Sequence, residues 1–145
     1  MIALLQRVSR AVVSVEDKSI GEIGRGLVVL VAVHRDDSEP QIGRLAERIL
    51  GYRVFPDDAD RMNLSIRDIC GELLLVPQFT LAADTRKGTR ASFTRAAEPE
   101  RAADYFEQLT VICSRSLETV ESGRFGANMQ VSLVNDGPVT FWLEA

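Results

Sequence analysis

Near its C-terminus the chain reads Asn135-Asp136-Gly137-Pro138-Val139-Thr140, and midway along it the apolar run Leu73-Leu74-Leu75-Val76-Pro77 leads into Gln78-Phe79-Thr80-Leu81. A Gly-Pro bond adopts the cis form at modest cost, and in that form two adjacent backbone carbonyls can be aimed together at a small ligand. The same residues are ordinary turn formers, so alone the hexapeptide predicts a hairpin turn between strands Asn128–Val134 and Val139–Glu144. The second segment predicts a buried strand that ends in polar Gln78 and Thr80. Thr80 is a candidate side-chain nucleophile, but no general base stands near it in sequence, and a Thr that closes a strand is also a common hydrogen-bonding β residue.

The usual side chains of hydrolysis are missing from the inventory. The chain has one histidine, His34, beside Arg35, Asp36 and Asp37 at the end of an apolar strand. A catalytic triad would have to be built around it, and its position reads instead as a strand-end surface residue. Cys70 and Cys113 are isolated, without C-x-x-C spacing, and read as small core residues in a reducing compartment. One histidine and two scattered cysteines make no zinc site, and Asp57, Asp58 and Asp60 read as a turn, so neither metal nor cofactor is expected. No phosphate-cradling or dinucleotide glycine motif is present. If the chain is an esterase, its power must come from backbone dipoles and from the substrate itself.

The two segments together resemble the signature motifs of the D-aminoacyl-tRNA deacylases. Arg7-Val8, Lys87-Gly88-Thr89-Arg90-Ala91-Ser92-Phe93 and Gly123-Arg124-Phe125-Gly126-Ala127-Asn128-Met129 stand in that family's order, so the resemblance spans the chain. It implies a barrel-like fold, a homodimer, and cleavage of the ester of D-aminoacyl-tRNA assisted by the 2′-hydroxyl of the terminal adenosine. Backbone N–H groups around Phe79 and Thr80 would lie near the scissile carbonyl, with Gln78, Phe125 and Met129 in the substrate pocket; core roles for the last two are equally open. A cis Gly137-Pro138 bond would enter the partner subunit's site and exclude L side chains while admitting glycine, and Arg7 would anchor it. A salt-bridged strand arginine is the plain alternative for Arg7. Where the family usually has Ser before the Gln, this chain has Pro77, so no role for that hydroxyl carries over.

With 46% hydrophobic residues in 145, the chain is sized for one domain over residues 1–145, which at this length buries roughly 68–70% of its unfolded surface. A net charge of −4 argues against coating nucleic acid by bulk electrostatics. Charge is locally reversed between Asp84 and Arg95, where Arg86, Lys87, Arg90 and Arg95 face a single acid. Those four are the candidate contacts to a tRNA acceptor end; a solvated surface loop is the alternative. The apolar N-terminus is broken by Gln6 and Arg7, so a cytoplasmic protein without a membrane partner is expected.

The elements that must position these residues follow from periodicity. Strands are predicted over Ile2–Val8, Ala11–Glu16, Ser19–Ile23 and Gly26–Val33, with antiparallel neighbours across short spacers. Ser38-Glu39-Pro40-Gln41 has the form of a capping box and opens an amphipathic helix on Ile42, Leu45, Ala46, Ile49 and Leu50 that stops at Gly51. Pro99 opens a second, with Ala102, Tyr105, Phe106, Leu109, Ile112 and Cys113 on one face. Between them Tyr52–Phe55 and Glu72–Phe79 read as strands. The fold class is α/β, with mixed, largely antiparallel sheet and two main helices. Two rival functions remain at this point: a tRNA-binding dimer with weakened catalysis, and a small-molecule hydrolase of amino-acid esters, which would not need the basic loop.

Overall fold

A computed structural model describes all 145 residues. Its organising element is β1 (Ile2–Val15), 14 residues long. Strands β2 (Lys18–Ile23) and β3 (Gly26–Ala32) lie one after the other on the same edge of β1, both antiparallel to it. Helix α1 (Glu39–Gly51) then carries the chain to a small ribbon of β4 (Phe55–Pro56) and β5 (Met62–Leu64). Strand β6 (Glu72–Pro77) joins β3 in parallel, α2 (Pro99–Ser114) crosses back, and β7 (Val120–Ser122) adds in parallel to β6. The last strand, β8 (Gln130–Glu144), runs antiparallel along the far edge of β1.

The parallel pair β3 and β6 is apolar at nearly every position because both faces are covered. Leu27, Val29, Val31, Leu73 and Leu75 face the large core beneath α1 and α2, while Val28, Leu74 and Val76 face a second core with Val8, Ala11, Val13 and Ile23. The two-residue period of a strand therefore separates the two cores. Around the second core the sheet curls until β2 lies against β6 and β7, giving the nearly closed, barrel-like mixed sheet.

Both helices form where the sequence signals place them. At α1 the Gln41 side chain accepts from the Ser38 N–H at 2.7 Å and from its hydroxyl at 2.6 Å, and the buried face is Ile42, Leu45, Ala46, Ile49 and Leu50. In α2 the buried set is Ala102, Tyr105, Phe106, Leu109 and Cys113, with Ile112 packed partly against them.

Five expectations are corrected. Ser9-Arg10 is no spacer: β1 continues through it, with register shifts against β8 taking up the irregularity. Asn135-Asp136-Gly137-Pro138 is no hairpin, because both halves of β8 pair with β1 in one direction. Tyr52–Phe55 shrinks to Phe55–Pro56, and Glu72–Phe79 ends at Pro77. Cys70 is exposed rather than core. It takes the left-handed position (φ 49°) of a Schellman-like turn, in which Gly71 N–H reaches the Ile66 carbonyl at 2.9 Å and Cys70 N–H the Arg67 carbonyl at 3.2 Å.

Candidate active site

Pro77 ends β6, since it has no N–H to continue the ladder. Gln78 N–H makes the next contact, to the Val31 carbonyl at 2.7 Å, and the chain then tightens into a 3-10 turn over Phe79–Ala82. Its bonds run from Leu81 N–H to the Gln78 carbonyl and from Ala83 N–H to the Thr80 carbonyl, each 3.1 Å. The N–H groups of Phe79 and Thr80 precede the first such bond, so the turn itself gives them no acceptor. Beside them, Gln78 Nε2 donates to Thr80 Oγ1 at 2.6 Å.

A cavity of about 450 Å³ opens against this turn. Pro77, Gln78 and Phe79 form one wall, Ala97, Pro99 and Ala102 at the start of α2 another, and the segment from Phe125 to Met129 a third. The lining is mostly apolar with few polar groups, the usual make-up of a small-molecule pocket. Phe125 and Met129 thus stand in the wall, and Met129 also packs partly against the second core. Gly123 keeps that wall tight: a Cβ there would lie 2.8 Å from Met129 Sδ. Thr80 is exposed and is not among the lining residues.

Gly137 and Pro138 lie outside the cavity of their own chain. Between the pairs Gln6–Thr140 and Val8–Asn135, β1 has only Arg7 where β8 has Asp136, Gly137, Pro138 and Val139, so these residues loop out of the ladder. The Gly137–Pro138 bond is cis and both residues are exposed. Arg7 spans the gap. Its Nε donates to the Asp136 carbonyl at 3.1 Å and pairs with the Asp136 carboxylate at 3.2 Å, and Nη1 donates to the Val54 carbonyl at 2.7 Å. Asn135 Nδ2 closes the base of the loop, donating to the carbonyls of Arg7 and Val139 at 3.0 and 3.2 Å. At Gly137, φ is +124° and a Cβ would meet Val139 Cγ2 at 2.7 Å and Arg7 Nη2 at 3.0 Å, so only glycine fits without displacement.

The basic segment is a closed loop. Asp84 and Ser92 exchange backbone hydrogen bonds of 2.8 and 3.1 Å, and a bay of about 430 Å³ is lined by Asp84, Arg86, Lys87, Arg90 and Ser92. Arg86 Nη2 pairs with Asp84 at 2.5 Å, which holds the Asp84 carboxyl well below its usual range and leaves Lys87 and Arg90 as the charges in excess. Arg95 does not line the bay; its carbonyl accepts from Arg35 N–H at 2.9 Å.

His34 is partly buried rather than a surface residue and does not line the cavity. Burial lowers its pKa, Asp37 opposes that shift, and its Nε2 has no hydrogen-bond partner. Cys113 is buried in the large core, and burial pushes its thiol up to about 12. Two features escape the sequence reading: the wall contributed by Ala97, Pro99 and Ala102, whose residue types carry no chemical signal, and Phe93, whose ring packs on Phe79 at 5.1 Å between centroids.

Known proteins resemble this one over nearly the whole chain. The model of a family described as D-Tyr-tRNA(Tyr) deacylase matches residues 4–144. A D-aminoacyl-tRNA deacylase of Alkalilimnicola ehrlichii is 64% identical over 145 residues, covering 100% of this chain and 97% of its own. One from Klebsiella pneumoniae is 55% identical, covering 99% of each chain. Among solved structures, a c-Myc DNA unwinding element binding protein superposes with a TM-score of 0.95 at 36% identity, covering 100% of this chain and 99% of its own. A probable eukaryotic D-amino acid tRNA deacylase superposes at 0.86 with 18% identity, covering 99% and 98%, a likeness of fold.

Proposed function

Because the chain belongs to the D-aminoacyl-tRNA deacylase family and is a hydrolase of that activity, we propose that two copies of it build each active site between them and that the backbone, not a side chain, reads the chirality of the substrate. The terminal adenosine and its aminoacyl group enter the cavity beside Gln78, Phe125 and Met129. The ester carbonyl lies toward the N–H groups of Phe79 and Thr80, which stabilise the developing oxyanion. Water attacks the carbonyl carbon, the bond to the ribose 3′-oxygen breaks, and the neighbouring 2′-hydroxyl relays the water's proton to that oxygen. Free D-amino acid and tRNA leave.

Selectivity comes from the partner subunit's Gly137 and Pro138. Their carbonyl oxygens meet the substrate α-carbon where an L side chain would project, so L esters clash and D esters do not. Glycine has no side chain to exclude, so glycyl-tRNA is cleaved as well. Arg7, through its planar donors, sets the position of this element. The observation that carries the reading is the loop-out itself: Gly137 and Pro138 are exposed, braced by Arg7, and outside the cavity of their own chain.

The polynucleotide is held at Arg86, Lys87, Arg90 and Arg95. The test compares D-aminoacyl-tRNA with the methyl ester of the same D-amino acid. Strong preference for the tRNA ester in kcat/KM is expected, and equal efficiency on the methyl ester would return the chain to the amino-acid esterases.

A further inference from the structure

The Phe79–Phe93 pair links the wall of the ester cavity to the loop that carries the basic bay, and nothing in the hydrolytic step uses the two rings. Phe79 lines the ester cavity, while Phe93 directly follows Ser92, which lines the basic bay. Their rings are 5.1 Å apart at an interplanar angle of 52°, yet Phe79 is 55% and Phe93 42% exposed. Two large apolar rings left open beside a cluster of cations are an expensive surface for a soluble chain. The backbone beneath Phe93 is fixed on both sides, by the Ser92–Asp84 pair and by Ala96 N–H on the Phe93 carbonyl at 3.0 Å, so the ring is a preset platform.

The chemistry that suits an open aromatic face next to Lys87 and Arg90 is a nucleobase with its phosphate: the base stacks and the phosphate meets the cations. The geometry points to Phe93 as the stacking platform for the nucleotide that precedes the terminal adenosine, with the phosphate on its 5′ side directed to the bay of Lys87 and Arg90. This rests on the proposed function, since it takes the ester cavity to hold the terminal adenosine. Phe93 then acts as a positioning residue: it holds the single-stranded end so that the ester falls against the Phe79–Ala82 turn.

The test compares three D-aminoacyl substrates that differ in length: the 2′(3′)-ester of adenosine, that of the terminal trinucleotide, and the whole tRNA. In the wild-type enzyme KM should fall sharply from the mononucleoside to the trinucleotide. Phe93→Ala should raise KM for the trinucleotide by about tenfold more than for the mononucleoside, equivalent to about 1.4 kcal/mol, with kcat shifted far less. Phe93→Trp, which keeps a stacking face, should retain the length preference, and Phe93→Leu, which only fills space, should lose it. If Phe93→Leu behaves as wild type, or Phe93→Ala impairs all three substrates equally, the ring is a clasp for the loop and the inference fails, with the proposed function intact. If the wild-type enzyme cleaves none of the three esters, it is the proposed function that fails.

Discussion

Thr80 Oγ1 already accepts from Gln78 Nε2 at 2.6 Å, and the only histidine does not line the cavity beside this turn. Losing one such hydrogen bond costs about 1 kcal/mol, whereas removing a catalytic nucleophile costs on the order of a millionfold in kcat. Thr80→Ala should therefore lower kcat by no more than about tenfold, and a substrate lacking the 2′-hydroxyl should lose on the order of a hundredfold or more. A folded Thr80→Ala enzyme that binds substrate and is inert would reverse this assignment. His34 makes a separate prediction, on stability. Burial depresses its pKa in the fold; the charges of Asp37 and Glu144 oppose that shift, while those of the N-terminal ammonium and Arg95 add to it. The unfolded chain then binds the proton more readily, so this contribution is fully present above about pH 6.5 and is lost as pH falls through the lowered folded value. His34→Gln should flatten the decline of Tm in that range; parallel declines would show that His34 is not its source.

At the scale of elements, the proposed function assigns the site's selectivity to the β8 loop-out and its hold on tRNA to the Asp84–Arg95 loop. Neutralising Lys87 and Arg90 together should weaken tRNA binding and make its salt dependence shallower by about 1.4 in log–log slope, about 0.7 for each single-strand phosphate contact. Arg86 alone should matter less, because Asp84 already engages it. An unchanged slope for the double variant would make the loop a solvated surface.

The elements also show what the sequence could reveal. Helices α1 and α2 carried their own start signals in Ser38, Gln41 and Pro99, and the apolar runs of β3 and β6 marked buried strands, because these cues act within a few residues. The path of β8 was hidden. Asn135-Asp136-Gly137-Pro138 has the same local chemistry in a hairpin as in a loop-out, and only pairing of both flanks with β1 tells them apart. Ser9-Arg10 misled for the same reason, as an exposed polar pair inside a strand. At the site, Gln78, Phe79, Phe125 and Met129 could be read as candidates from motif resemblance, whereas Phe93, although it ends another matching motif, drew a role only from its contact with Phe79.

For the whole molecule, the decisive feature is the separation of the cavity from the Gly137–Pro138 element of the same chain. If two copies build each site, as proposed, a substitution in either should be rescued by the other chain. Gly137→Ala forces a Cβ to within 2.7 Å of Val139 Cγ2, and a bulky residue at Ala102 closes the cavity wall; each variant alone should be inactive. Unfolding and refolding an equal mixture should recover roughly a quarter of wild-type turnover, because random pairing makes half the dimers mixed and each mixed dimer has one intact site. No recovery, with mixed dimers demonstrated, would mean that the element acts within its own chain.

The central claim, that chirality is read by backbone carbonyls, is tested most directly by measuring deacylation of matched D-aminoacyl-, L-aminoacyl- and glycyl-tRNA by the unmodified protein. Carbonyl oxygens held at fixed positions exclude an L side chain whatever its chemistry and leave glycine nothing to clash with. The account predicts cleavage of varied D esters and of glycyl-tRNA, with every L ester spared. Robust cleavage of an L-aminoacyl-tRNA would contradict it.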